Sequence, residues 1–500
     1  MLKSYFTIAS LLFSLHICAQ APTKIQLVNA DVLEYDEQRG EKVKRLIGNV
    51  AFKHDRVLMY CDSAYLYSET NLLEAFSNVR LKEGDSLNVY GDFLVYRGNE
   101  KIAEIHDNVR LLHKNLTLNT NKLTQNTETN VAYYLEGGNI VDGDNHLTSK
   151  IGFYYPDTYE FFFKDSVVLI NPEYSMSSDT LKYNTDTEIT YFFGPTNIIS
   201  DSNHIYCENG WYNTHTDISQ FNKHAKITSK DQSITADSLY YDRNRGYSEA
   251  HGNIIMHDTV QNIIISGEFG IYYEKTERAM VTQRAMLTDI YDDDSLFMHA
   301  DTFKTGFDST GEHKLLYAYK NVKFFKKDLQ GVCDSLIYGF KDSLIRMFNN
   351  PVLWSDENQM IAEHVRLKTG DDGIELLLFD HNAFISSFVA SNMYNQIKGK
   401  DMIGYFKDGS LDKIKVTGNG QTIYYAQEED KSFIGTNIAD CTDMMVYIKD
   451  NSVEKITFIT KPDAVMHPMG KLSKDETTLR GFEWFENRRP TDKQDIFNWR

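Results

Sequence analysis

The chain has 500 residues, a hydrophobic share of 41% and a net charge of −19. That length admits several ordinary domains or one long repeat array, and the aromatic-rich, proline-poor composition excludes general disorder. The acidic balance argues against binding nucleic-acid phosphates and against non-specific docking on an anionic membrane surface, both of which need a basic face.

Residues 1–19 read as a signal peptide: Lys3 supplies the positive start, Ile8 to Ile17 a short apolar run, and Ala19 a small residue before the cut. Ile17 stands where a lipid-attachment signal wants a small residue, which speaks against lipidation at Cys18. No later stretch has the ~18 apolar residues of a membrane helix. The expected location is the periplasm, with association to the outer membrane.

From Leu46 to Tyr67 an Asn-hydrophobic step (Asn49-Val50) leads through an alternating segment to a small residue, an acid and an aromatic strand (Cys61, Asp62, Tyr65, Tyr67). The pattern recurs. Its small-acid anchors are Ala30-Asp31, Cys61-Asp62, Gly91-Asp92, Thr120-Asn121, Ser149-Lys150, Ser178-Asp179, Cys207-Glu208, Ala236-Asp237, Gly267-Glu268, Ala300-Asp301, Cys333-Asp334 and Ala362-Glu363. They lie 29 to 33 residues apart, the second member is acidic at ten of twelve, and Tyr follows four residues later at eight. Within each unit, short alternating segments rich in Val, Ile, Thr, Tyr and Phe are separated by turn signals such as Arg97-Gly98-Asn99 and Asp142-Gly143-Asp144. This is an all-β signature. We expect an elongated repeat β-jellyroll or β-solenoid over 25–370, about three strands per unit, each strand paired with its repeat-mate. The constant small residue predicts a tight corner or narrow interior, and the acids are expected as solvated residues at the rim.

Past Lys368 the register loosens, with Asp401 and Asp443 as degraded anchors, so 371–468 reads as divergent repeats or a cap and 469–500 as a docked or partly flexible tail. Cys61, Cys207 and Cys333 share one register position four or five rungs apart, roughly 20 Å or more, too far for a disulfide. They read as small buried hydrophobes. No catalytic constellation, zinc spacing or cofactor motif stands out. Asp292-Asp293-Asp294 reads as a solvated turn, and Gly418-Asn419-Gly420 as a hairpin turn rather than a nucleotide loop.

The repeated phrases Ala30-Asp31-Val32-Leu33-Glu34-Tyr35-Asp36 with Gly48-Asn49-Val50, and Ala236-Asp237-Ser238-Leu239-Tyr240-Tyr241-Asp242 with Gly252-Asn253-Ile254, resemble the OstA-like (organic solvent tolerance) family, whose best-known members are periplasmic lipopolysaccharide-transport bridges. The resemblance covers about 25–370 and implies an open, twisted β-jellyroll whose apolar groove carries lipopolysaccharide acyl chains between inner and outer membranes. It implies as partners lipopolysaccharide or a related glycolipid, and other β-jellyroll transport components joined end to end at open edges. The chain is several times longer than the small bridges and shows no series of outer-membrane barrel strands. The hydrophobic residues after the Asn step would line the groove: Val50, Phe52, Val79, Leu81, Val109, Leu111, Ile254, Val322 and Phe324. Each could instead be plain core packing. Two other classes stay open: a structural β-solenoid or adhesin with a filled core, and a polysaccharide-active β-helix enzyme. The even spacing of the acids favours a scaffold over an enzyme.

Overall fold

In a computed structural model of the chain, described for residues 23–499 except 41, 85–86, 291–294, 371–372, 408–409, 429, 431 and 450–451, the protein is nearly all strand. The signal segment, the acidic run 292–294 and part of the turn at 371–373 lie outside the described residues. Among the described residues the strand pairings are antiparallel, and the helical residues are three short 3₁₀ turns. The chain divides into two compact units, Met1–Glu188 and Ile189–Arg500.

The repeat turns out to be two long strands rather than about three, and each pairs with its chain neighbour rather than with a repeat-mate. Val43–His54, Val57–Tyr67, Leu72–Glu83 and Leu87–Arg97 form such a meander, and each breaks at its middle. Short turns join consecutive strands, so neighbour pairing is geometrically immediate and requires no long crossover. Within Val43–His54, residues 43–47 pair with 63–67, and 50–54 pair with 57–61. The break is a crease. On most alternate strands two successive residues take left-handed backbone, as at Gly48-Asn49, Ser77-Asn78, Asp107-Asn108 and Lys320-Asn321. Asn, Asp and Gly tolerate that conformation best, which explains the recurring Asn step. On the facing strand the small-acid pair shifts the alternation by one residue. Thus Val57, Met59 and Cys61 are buried before it, and Ala64 and Leu66 after it.

The crease divides each sheet into two arms with one shared inner face. We call the half that follows the Asn step the valine arm (residues 50–61, 79–91) and the other the tyrosine arm (63–76, 93–106). Gly418-Asn419 is a crease of this kind inside the unbroken strand Ser410–Gln427, not the hairpin turn expected. Past residue 368 the same geometry persists: the backbone N–H of His381 donates to Asp401 Oδ1 (2.9 Å) and that of Gly418 to Asp443 Oδ1 (3.0 Å).

In the second unit the C-terminal tail covers the outer face of the valine arm. One outer row, Gln330, Trp354, Gln359, Ser386, Gln396 and Ile423, is fully buried and paired strand to strand. Gln359 donates to Glu483 O (2.7 Å) and accepts from Phe485 N (2.6 Å). Gln396 treats Thr477 O (3.0 Å) and Leu479 N (2.8 Å) in the same way. Each side-chain amide imitates a strand partner for the tail backbone, so these two glutamines stay satisfied although buried on a sheet face. Arg489 reaches Gln330 Oε1 (2.9 Å), and Phe497 packs on His299.

Candidate functional site

The crease is built from the two motifs that the sequence repeats. Its inner side carries the small residue: Cys61, Ser149, Ser178, Cys207, Ala236, Ala300 and Cys333 are all buried. At Gly91 a Cβ would overlap Ile105 Cγ2 and approach His106 O at 3.2 Å, so the space is already taken. The four described cysteines are free and buried; burial pushes the thiols of Cys61 and Cys333 up to about 12 and that of Cys207 to about 11.

The outer side carries the acid, which is exposed but not merely solvated, a correction to the expected rim. The left-handed Asn of the next crease donates Nδ2 to it. Asn49 binds Asp31 (2.9 Å), Asn78 Asp62 (2.7 Å), Asn108 Asp92 (2.6 Å), Asn253 Asp237 (2.9 Å) and Asn321 Asp301 (2.9 Å). Where the anchor is Lys150 the crease residue is Asp165, and the ion pair is 3.2 Å long. An exchange of sign at one rung identifies the acids as half of a clasp. Their regular spacing therefore has a structural cause. Among the described residues no group of three or more His, Cys, Asp or Glu is placed to hold a metal.

The inner face carries rows of apolar side chains running strand to strand. In the first unit one row on the valine arm includes Phe52, Met59, Leu81, Val89, Leu111 and Leu118, every member buried. Nearer the crease stand Val50, Val79 and Val109. In the second unit Ile254 and Val322 hold the crease-side position and Phe324 the next one out. All nine residues expected from sequence are at most 3% exposed. Both members of each i, i+2 pair face inward, as strand alternation requires.

At the mouth of the first unit, opposite the crease, polar side chains cross between the arms. His54 Nδ1 meets Tyr96 OH at 2.6 Å, and Tyr96 OH lies 3.3 Å from Thr127 Oγ1. Arg56 Nε pairs with Glu83 Oε1 at 2.5 Å, and Gln125 Nε2 donates to Glu83 Oε2 at 2.7 Å. His113 bonds Tyr154. Burial raises the Glu83 carboxyl against the opposing pull of Arg56, and burial, with Lys114 adding to it, lowers the His113 imidazole. The sequence motif contained Tyr96 and Tyr154 but not their partners, which lie 42 and 41 residues away in the chain.

The creased, repeated, apolar-faced sheet invites comparison with known families. The family model described as OstA-like protein matches residues 22–179 and again 176–237. Residues 22–237 belong to the OstA-like family. No curated protein matches the chain. The OstA-like stretch takes in the clasps from Asp31 to Glu208 and the polar mouth of the first unit. The crease continues through the residues that follow it, to the pairing of Gly418 with Asp443.

Proposed function

We propose that the protein is an exported scaffold that carries the acyl chains of lipopolysaccharide or a related glycolipid in its creased interior, within the periplasm between inner and outer membranes. The observation carrying this reading is the uninterrupted apolar row on the inner face. From Phe52 to Leu118 no polar side chain interrupts it. An acyl chain gains about 0.8 kcal/mol per buried CH₂, and because apolar contact is non-directional it can slide along such a row. Membership of residues 22–237 in the OstA-like family supports the same reading. No step of it requires catalysis, a metal or a cofactor.

End-to-end partners of similar construction fit the open edges. Gln26–Asn29 and Val32–Tyr35 pair with Val43–His54 and expose Val28, Val32, Leu33 and Tyr35. Asp463–Pro468 pairs with Phe433–Lys449 and exposes Val465 and Met466. An apolar edge strand is a template for a further strand.

The burial of all nine expected lining residues favours a second reading, a structural solenoid with a permanently filled core. Native mass spectrometry with lipid extraction decides between them, on protein purified from an envelope containing lipopolysaccharide. Co-purifying lipid that Val109→Asp or Val322→Asp displaces supports the carrier. Lipid-free protein that also refuses added lipopolysaccharide supports the filled solenoid.

A further inference from the structure

One stretch of the second unit departs from the filled interior. On the valine arm the row Ile198, Ile205, Ile227, Ile234, Met256 and Ile265 is paired strand to strand, as in the first unit, yet every member is only half-buried. Its continuation, Leu287, Met298 and Phe324, is buried again. The tyrosine arm differs in the same stretch. In the first unit the row nearest the mouth there runs Leu73, Tyr96, Ala103, Gln125, Ala132, Tyr154 and Phe161, all buried. In this stretch the corresponding positions alternate Thr190, Tyr212, Ser219, Tyr241, Ser248 and Tyr272. Closer to the crease the row runs Phe192, Gly210, Phe221, Leu239, Ala250 and Gly270, all buried, so the difference is confined to the mouth. The tyrosines do not fill the gap in the way Tyr96 does. Tyr212 donates its hydroxyl to Asp217 (2.8 Å) and Tyr241 to Glu274 (3.2 Å), both in the hairpin region of the tyrosine arm itself. Tyr212, Tyr241 and Ser248 are only half-buried and Tyr272 is exposed, so the rows nearest the mouth on both arms are more open to solvent here than in the first unit.

We infer that this stretch, from Ile189–Ser200 to Ile263–Tyr273, is a lateral window through which an acyl chain is loaded into the interior. The inference rests on the lipid-carrying reading above and adds where the cargo gets in. Six side chains on successive strands span roughly 24 Å at about 4.8 Å per strand. The row is continuous with buried rows of the same chemistry, so a chain laid on it has a path onward to Leu287 and Met298. A peptide fits the window less well. The backbone groups of these strands are already paired in ladders on both sides, which leaves no edge for a further strand. The row itself carries no polar side chain.

The test places a photo-crosslinking benzoyl-phenylalanine at Ile227 or Ile234 in the window, and at Leu353 or Leu111 in buried rows, then adds purified lipopolysaccharide for increasing times. Labelling at Ile227 and Ile234 before Leu353 is the expected result. Ser248→Phe, which adds bulk at the half-buried mouth row, should slow labelling at Leu353 roughly tenfold, the loss of about two buried CH₂ contacts. If this variant loses its cooperative melt, Ile234→Glu, at a half-exposed position, serves the same purpose. Labelling at Leu353 that precedes that at Ile227, or that is indifferent to the added bulk, overturns the window while leaving the carrier intact. Absence of label at all four positions overturns both.

Discussion

At the scale of single residues, the acids and asparagines of the repeat act as pairs. The bond from Asn253 to Asp237 lies at an exposed corner, so its net worth is about 0.5–1 kcal/mol, below that of a buried charge-assisted bond. Asn253→Ala is expected to lower the unfolding free energy obtained from urea denaturation by that amount. Lys150→Asp and Asp165→Lys should each destabilise on their own and recover together, a coupling that a double-mutant cycle reads directly. Gly91→Val is expected to cost about 1–3 kcal/mol, because the inside of the crease holds Ile105 where the new side chain would sit. The cysteines follow the same geometry. With thiols buried and raised well above their ordinary values, Cys61, Cys207 and Cys333 should not react with a thiol reagent until the protein unfolds.

At the scale of elements, the polar mouth of the first unit makes its stability depend on pH. The His113 ring sits between Tyr154 and Tyr159 beside Lys114, and burial holds its pKa below the ordinary imidazole value of 6.5. For a depressed histidine the stabilisation is complete above the unfolded value and is lost as pH falls through the lower folded one. The melting temperature should therefore fall as pH drops below about 6.5, and His113→Asn should flatten that part of the profile. The tail of the second unit is a separate element with its own signature. Removing residues 471–500, or replacing Gln359 and Gln396 together by Ala, is expected to expose Trp354, which is fully buried and packs in a small cluster with Val332 and Val352 under Phe485. Easier quenching of tryptophan fluorescence by acrylamide would report it. Unchanged quenching would mean that the tail does not shield this face.

At the scale of the whole molecule, what matters is whether the inner face binds cargo. Leu111→Ala should cost about 2–5 kcal/mol of stability wherever the interior is filled by protein alone. At the half-buried Ile227 the same truncation should cost much less stability and chiefly reduce lipid retention. A comparison of denaturation with native mass spectrometry separates the two effects. Equal stability losses at both positions would argue that the second unit is as filled as the first.

The repeat itself was legible in the order of residues. Alternation specifies strands, the spacing of small-acid anchors specifies units, and the Asn step marks each corner, because left-handed backbone and strand periodicity are local properties of the chain. The nine inward-facing residues followed from the same alternation, which is why all are buried. Pairing was another matter. The role of the acids, the bond between His54 and Tyr96, and the grip of Gln359 on the tail join residues 16 to 126 positions apart, at distances that only the crease and the tail's return path bring together. The difference between a filled and an open stretch of interior was likewise decided in three dimensions. Ile227 and Leu111 hold equivalent places in the alternation, and only the packing of the folded arms leaves the first half-buried and the second buried.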